Sequence, residues 1–598
     1  MRTYLYKLFV AGFSLFFFSA NAYDYTENDL YFNLNSDGTV TLVGVAYRWE
    51  HDYKRVLEIP EKVRSHSVAK IGENAFEKLG SYTNEIIIPN TVTTIGNSAF
   101  KNTSITQIAI PSSVTNIGTN AFYGCNKLKR VFWNAYNCSA CYSSGNYYKV
   151  FDSPLMSFDS FIIGDDVSRI PSYLVGVHCD TISMGRSLVY IGKNGLPDKP
   201  KVLIIPDLKA WMKIKYGENN VHQNPVTNCE KIIVNGRELL DLVVPDGITI
   251  IPTDAFYGYK KLRTAILPEG VKQIKSRAFC TTTKLTPDDP DRGHCGLSSI
   301  SLPSTLTTIG ERAFEGCRLK SVILPNSVTA IPKYAFYGCK ELTSITIPNS
   351  VLSIGFHAFD ECEELTSIMI PHSVTSIEAG IVRQCLKLQS IKIDPSNLYY
   401  DSREDCNGII ETSSNTLIIG CKNTRIPNSV KTIGTSAFSY VIFDQPVLIP
   451  NNLVTIQPYA FLHASFPSIT IGASVAEIGK EAFVYTSPSS IHCLSLEPPV
   501  CGDDLFYQYP NTGNFYRTCV LYVPVNSIEK YRNAAEWNKF KNIIGESSGI
   551  EDIKSDSINV VELERYDING RILSAPQPGI NIVRYSDGSV SKVWVPNN

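Results

Sequence analysis

The chain has 598 residues, and its 55 Lys and Arg stand against 57 Asp and Glu, a formal net charge of −2. That balance supplies no chain-wide basic field to gather phosphate backbones or an anionic membrane surface, so nucleic acid is not an expected partner. Hydrophobic residues make up 43% of the chain, enough for an extended core, and the nine histidines are scattered.

Residues 1–22 carry Arg2 and Lys7, an apolar run over 8–18 and the small-residue stretch Ala20-Asn21-Ala22. This pattern predicts a secretory signal peptide cleaved near Ala22, an amino-terminal membrane anchor being the alternative that the short apolar run disfavours. The first cysteine is Cys125, which leaves no lipid-attachment cysteine beside that cleavage point. No later stretch approaches the roughly 18 apolar residues of a membrane span. Residues 23–60 are expected to form an N-terminal cap.

From 61 to 520 the chain repeats itself. Residues 321–342 read SVILPNSVTAIPKYAFYGCKEL, followed by SITIPNSVLSIGFHAFDECEEL and SIMIPHSVTSIEAGIVRQCLKL, with Pro325, Pro348 and Pro371 at equal steps along the chain. An Ala-Phe pair keeps the same step, at Phe76, Phe100, Phe122, Phe256, Phe279, Phe314, Phe336, Phe359, Phe438, Phe461 and Phe483. Self-similarity at this period predicts a solenoid, because one short turn cannot bury its apolar side without a neighbour stacked on it. Within a turn, Leu342 reads as a corner and 344–347 as a strand with Ile345 and Ile347 inward and Ser344 and Thr346 outward. Pro348 ends that strand because it has no amide hydrogen to extend a ladder. A second short strand is expected within 351–355, and Ala358-Phe359 should plug the next corner.

The phrase IPxSVTxIGxxAFxxC is the hallmark of the BspA-like leucine-rich repeats of bacterial surface proteins, and this chain resembles them. It appears here as IPSSVTNIGTNAFYGC (110–125), IPNSVLSIGFHAFDEC (347–362) and LPSTLTTIGERAFEGC (302–317). The resemblance implies a β-rich solenoid with about 22 or about 23 residues per turn and little helix, exported to the cell surface. Degenerate repeats are assigned to 126–244.

Residues 521–543, with Tyr, Ala, Trp and Phe at intervals, predict a short helix within a cap over 521–545. A polar linker over 545–549 leads to a small β domain at 550–598, where Asn569-Gly570 and Asp587-Gly588 are hairpin signals between apolar strands. That domain resembles the carboxyl-terminal modules of secreted Bacteroidetes proteins, some of which direct sorting through the type IX route. A β-sandwich tail without a transport role remains open.

Sixteen cysteines in an exported chain suggest disulfides, yet Cys317, Cys339, Cys362 and Cys385 recur in step with the prolines and belong to the repeat. Stacked turns lie about 4.8 Å apart, beyond the roughly 3.5–4.5 Å between Cβ atoms of a bridge, so buried thiols are expected there. Cys280 with Cys295, and Cys406 with Cys421, are the better bridge candidates. The motifs that could carry chemistry are weak. Cys138-Ser139-Ala140-Cys141 lacks a second ligand pair for zinc. The 545–549 match to GxSxG falls in a linker instead of a strand-to-helix turn. Asp288, Asp289 and Asp291 lack the alternating ligands of a calcium loop. His357 and His372 read as surface positions. We therefore expect no enzyme activity, no metal and no cofactor.

Function must then reside on the outward strand positions, Ile87, Ala109, Ile266, Ser301, Ile323, Thr346, Met369, Lys392, Leu448 and Thr470. Ile323, Thr346, Met369 and Lys392 are the core of this predicted stripe, which contains no Trp or Tyr. A contiguous row of small and apolar side chains suits a protein partner on host or neighbouring cells, although strand propensity alone also favours β-branched residues there. The alternatives are glycan capture, to which Trp133, Tyr136, Tyr147 and Tyr148 could contribute an aromatic cluster, and a scaffold without a single ligand.

Overall fold

The computed structural model describes residues 23–46, 55–77, 79, 81–138, 149–197, 200–217, 224–227, 229–281, 296–508 and 512–546. Towards the carboxyl end it also describes 562–566, 571–573, 575, 577, 579–585 and 590–595. The expected signal peptide, Cys141, Tyr147, Tyr148, the 288–291 aspartates, Cys295 and the two hairpin turns at 569–570 and 587–588 lie outside these residues.

Each turn contributes two short strands to two separate stacks of parallel strands. The first stack opens with eight parallel strands between Val56–Glu58 and Lys231–Val234, closed by the antiparallel Arg237–Glu238, and ends with five between Val447–Leu448 and Asn542–Glu546. The second starts from the antiparallel strands Tyr25–Glu27, Leu30–Leu34 and Val40–Val45, the last of which pairs in parallel with His66–Ile71. Alternation sets the faces as expected: in Ser344–Thr346 only the central Ile345 is buried, and Ile347 follows it inward. After each Ile-Pro or Leu-Pro the chain turns, the N–H of Val328 donating to the Pro325 carbonyl at 3.0 Å and that of Val351 to Pro348 at 3.1 Å. The serine of the same phrase ties one turn to the last, Ser350 Oγ donating to the Val328 carbonyl at 2.7 Å and Ser373 Oγ to Val351 at 2.7 Å.

The Ala-Phe corner holds the core together. Phe76, Phe100, Phe122 and Phe151 stack with centroids 4.7–4.8 Å apart. A second stack runs from Phe256 through Phe279, Phe314 and Phe336 to Phe359 at 5.3–5.7 Å, and a third from Phe438 through Phe461 and Phe483 to Phe506 at 5.0–5.1 Å. Phe151 and Phe506 escape an Ala-Phe search because Val150 and Leu505 precede them. The corner requires two left-handed residues. The one before Ala is at φ +57 in Arg312, +56 in Tyr334 and +54 in His357. The second, two after Phe, is often glycine, as at Gly316 and Gly338, but Tyr440, His463 and Tyr485 adopt it in the third stack. These residues are held by the adjacent turn, the Tyr334 N–H donating to the Phe356 carbonyl at 3.0 Å and that of His463 to Val484 at 2.9 Å.

The apolar interior forms two clusters, one ending at Cys421 and the other beginning at Cys406. Between them Ile381-Val382 replaces Ala-Phe, and the chain makes an antiparallel excursion through Tyr400–Asp401, Gly408–Glu411 and Thr416–Gly420. At the carboxyl end the expected helix spans only Ile528–Asn533, flanked by the paired strands Val520–Pro524 and Asn542–Glu546. Leu521 and Val523 are buried on either side of Tyr522, a period of two that the aromatic spacing obscured. Three antiparallel strands, Glu562–Tyr566, Gly579–Tyr585 and Val590–Val595, follow.

Of the repeated cysteines, Cys317, Cys339 and Cys362 are buried thiols and Cys385 is half-buried. Cys339 Sγ donates to the Phe314 carbonyl at 3.2 Å, Cys362 to Phe336 at 3.3 Å and Cys385 to Phe359 at 3.2 Å, so each thiol serves the phenylalanine of the preceding turn. Burial pushes the Cys125 thiol up to about 11 and that of Cys362 well above its ordinary value. The Cys406–Cys421 bridge is corrected: both are free, because Cys406 packs into the second cluster and Cys421 into the first. Trp133 is also corrected. It is an inward residue of Arg130–Trp133, in register with buried Ile110 and Ile163, and is not exposed.

Phe336→Ala should cost about 3–5 kcal/mol, whereas Thr346→Ala on the outer face should stay within about 0.5 kcal/mol; denaturant unfolding of both variants checks this, and equal losses contradict the register. A thiol reagent at pH 8, followed by peptide mapping, should modify Cys339 and Cys362 only across the unfolding transition, since both side chains are buried and burial also disfavours the Cys362 thiolate.

Candidate interaction surface

The stripe residues lie where alternation sends them, on the outer face of the first strand stack. Ile323 is 75% exposed and pairs in register with Thr346, and Met369, 49% exposed, pairs with Lys392. Ile266 and Ser301 form another register pair, and Ile87, Ala109 and Leu448 are exposed. Thr470 is half-buried.

Register adds residues that sequence reasoning passed over. Val243 pairs with Ile266 and is 63% exposed; its signal was present in Val244-Pro245, which marks a strand end like any other. In the degenerate stretch the row runs from Ala109 through Phe132, Ile162, Ser183 and Ile204 to Ile233, all but Ala109 half-buried. No proline closes the strands of Phe132, Ile162, Ser183 and Ile233, which hid them, whereas Ile204 had its landmark in Ile205-Pro206. At the other end Thr470 continues to His492, Tyr522 and Ile544. The row therefore does include a tyrosine, and the His492 ring stacks on it at 4.5 Å while Nδ1 sits 3.3 Å from Glu546.

A second ordered row follows the left-handed corner positions. Tyr440, His463 and Tyr485 stack at 4.6 and 4.3 Å, with the Arg383 guanidinium 5.3 Å from the Tyr440 centroid. Burial and the positive charge of Arg383 hold His463 below the ordinary imidazole value. His357, expected at the surface, is buried and hydrogen-bonded through Nδ1 to Asp360, whose carboxylate also accepts from Arg383 Nη2 at 2.9 Å. The corner geometry turns this left-handed residue back over its own turn, three residues before its partner. His372 is half exposed, 3.7 Å from Asp394.

Among the described residues no group of three or more His, Cys, Asp or Glu could hold a metal ion, and no helix is long and apolar enough to cross a membrane. Gly545 and Glu546 end the last strand of the first stack, the rest of the GxSxG match lying outside the described residues.

Two strand stacks, a phenylalanine corner and an outer row that repeats with every turn define a leucine-rich repeat solenoid. A family model for the BspA type leucine rich repeat region matches in 6 copies over residues 54–176, 222–287, 293–409 and 415–517, more than half of the chain, and the chain belongs to that family. Leucine-rich repeat families are in general binding scaffolds. No curated protein matches. Among solved structures, a leucine-rich repeat protein from Bacteroides ovatus is 23% identical, over 62% of this chain and 100% of its own, with a TM-score of 0.32. A leucine rich cell surface protein from Faecalibacterium prausnitzii is 21% identical over 63% of this chain and 96% of its own, at 0.29. The pneumococcal vaccine antigen PcpA is 14% identical over 88% and 98%, at 0.23.

Because its folded value is depressed, His463 contributes stability in full above the ordinary value of 6.5, and that contribution is lost as the pH falls below it. Thermal unfolding between pH 7.5 and 5 should therefore show a smaller acid-side decline for His463→Gln than for the wild type.

Proposed function

We propose that this protein is exported and held at the cell surface, where it binds a protein partner of host or neighbouring cells along Ile323, Thr346, Met369 and Lys392. The observation that carries this reading is the exposure of Val243, Ile266, Ile323 and Met369 on one face at turn-by-turn register. Large apolar side chains that recur along one face, Val243 beside Ile266 and then Ile323 and Met369 at alternate turns, make a patch of the kind that partners cover, unlike singly scattered ones. The flanking Ser301, Thr346 and Lys392 leave it polar enough to stand in water between encounters. Membership of a family of binding scaffolds and the amino-terminal pattern ending at Ala22 support the same reading. In it, residues 23–60 and 521–545 close the ends of the solenoid and 550–598 form a separate module with a candidate role in sorting. The protein is not an enzyme and needs no cofactor. Burial of Trp133 removes the main anchor of the aromatic cluster that would favour glycan capture.

Shallow contacts on several turns should share the affinity, so single changes will be mild. Ile323→Asp combined with Met369→Asp should weaken binding more than about tenfold, because a carboxylate buried at the interface is desolvated without a partner. Purified wild type and double variant are compared on immobilised extracellular matrix proteins after confirming equal unfolding midpoints. Unchanged affinity places the partner elsewhere on the molecule.

A further inference from the structure

A cleft of about 730 Å³ opens beside the corner leucines, across the turns that contain Glu238, Lys261, Ser298, Lys320 and Glu341. Its lining is strongly cationic in a chain whose net charge is −2. Lys260, Lys261, Arg263, Arg318 and Lys320 face it, against two carboxylates. Both carboxylates are already engaged, Glu238 with Lys261 at 3.0 Å and Glu341 with Arg318 at 2.6 Å. Arg263 and Lys320 are exposed and have no carboxylate partner among the described residues.

The repeat explains why charge gathers here. Arg263, Ser298 and Lys320 each directly follow the buried corner leucine of their turn, Leu262, Leu297 and Leu319. Ser298 N–H donates to the Arg263 carbonyl at 2.8 Å, which places these two on adjacent turns. With turns about 4.8 Å apart, Arg263 and Lys320 stand roughly 10 Å from each other along the solenoid axis. Lys261 and Arg318 occupy the position before the same leucines and repeat that spacing on the other side. In the turn between, Gly296 and Ser298 add no charge to the lining, and Gly296 packs so closely on its neighbour that a Cβ would meet the Lys260 and Leu262 carbonyls at 2.5 and 2.6 Å.

We propose that this cleft is a binding site for a linear anionic polysaccharide, one that carries sulfate or carboxylate groups at regular intervals. Arg263 and Lys320, the exposed cations that stand two turns apart without a carboxylate of their own, match a polymer whose charges recur along its length. Among the described residues no aromatic side chain lines the cleft, so recognition rests on charge, and neither base stacking nor the stacking of neutral sugar rings contributes. The site is separate from the apolar row, since the cations precede the strands on which Ile266 and Ile323 lie. It does not depend on the partner proposed for that row.

The test uses the full mature chain on immobilised dextran sulfate, with unsulfated dextran, polyglutamate and single-stranded DNA of matched length as comparators. Wild type should be retained by dextran sulfate at 150 mM salt and released as salt rises, as expected for counterion release. Arg263→Glu with Lys320→Glu should weaken retention at least about tenfold while leaving the unfolding midpoint unchanged, since both side chains are exposed. Lys62→Glu, a reversal at an exposed site far along the chain, should bind as wild type. The proposal is overturned if wild type passes through dextran sulfate, if the double reversal binds undiminished, or if Lys62→Glu weakens binding equally. It is overturned also if polyglutamate or DNA competes as well as the sulfated glycan, which would make the cleft a site for acidic protein or nucleic acid.

Discussion

The constraint on which everything else depends is that no turn of this chain can bury its own apolar side. A single turn has one short strand on each side and one phenylalanine at the corner. The inward isoleucines, the corner leucine and the phenyl ring become core only when the next turn is laid on them in register. The backbone enforces that register three times per turn, through two ladders and through the corner, where the left-handed residue donates its N–H to the turn that follows. Because the same contacts recur, stability in such an array is nearly a sum of turn-to-turn interfaces.

This constraint also explains the polar letters of the repeat. The serine of the Pro-Asn-Ser-Val phrase donates to a carbonyl of the preceding turn, and the cysteine after Ala-Phe does the same for the phenylalanine carbonyl. The serine gives a turn carbonyl a partner, while the thiol adds a second hydrogen bond to a carbonyl that already accepts from the backbone, as Phe336 does from the Cys339 N–H at 3.1 Å. The thiol is suited to its site because it is small, packs as a hydrophobe and gives one weak hydrogen bond. Disulfide chemistry is not its purpose here, and raised thiol values follow from the same burial.

Where the phrase breaks, so does the core. Ile381-Val382 in place of Ala-Phe interrupts the phenyl stack, and the antiparallel excursion that follows separates the interior into two clusters. Arg383 spans the break, with its guanidinium on Asp360 of one block and over the Tyr440 ring of the next. The cleft across the turns of Arg263, Ser298 and Lys320 gathers cations that are invisible in the balanced composition of the whole chain.

The period, the alternation of Ser344–Thr346, the proline stop and the outward Ile323 and Met369 were all determined by the sequence alone, because each is a local rule repeated many times in step. A sheet of period two and a corner of fixed composition need no distant information. What only the tertiary structure decided are the outcomes at places where the rule lapses. Trp133 went inward because its register partners Ile110 and Ile163 are buried. Cys406 and Cys421 remained thiols because they belong to different clusters, though they flank an antiparallel hairpin that looked ready for a bridge. His357 was buried by a left-handed turn that brings it onto Asp360. Phe132 joined the outer row through pairing alone, since no proline closes its strand. In each case the deciding contact is set by packing and pairing that the local pattern does not encode.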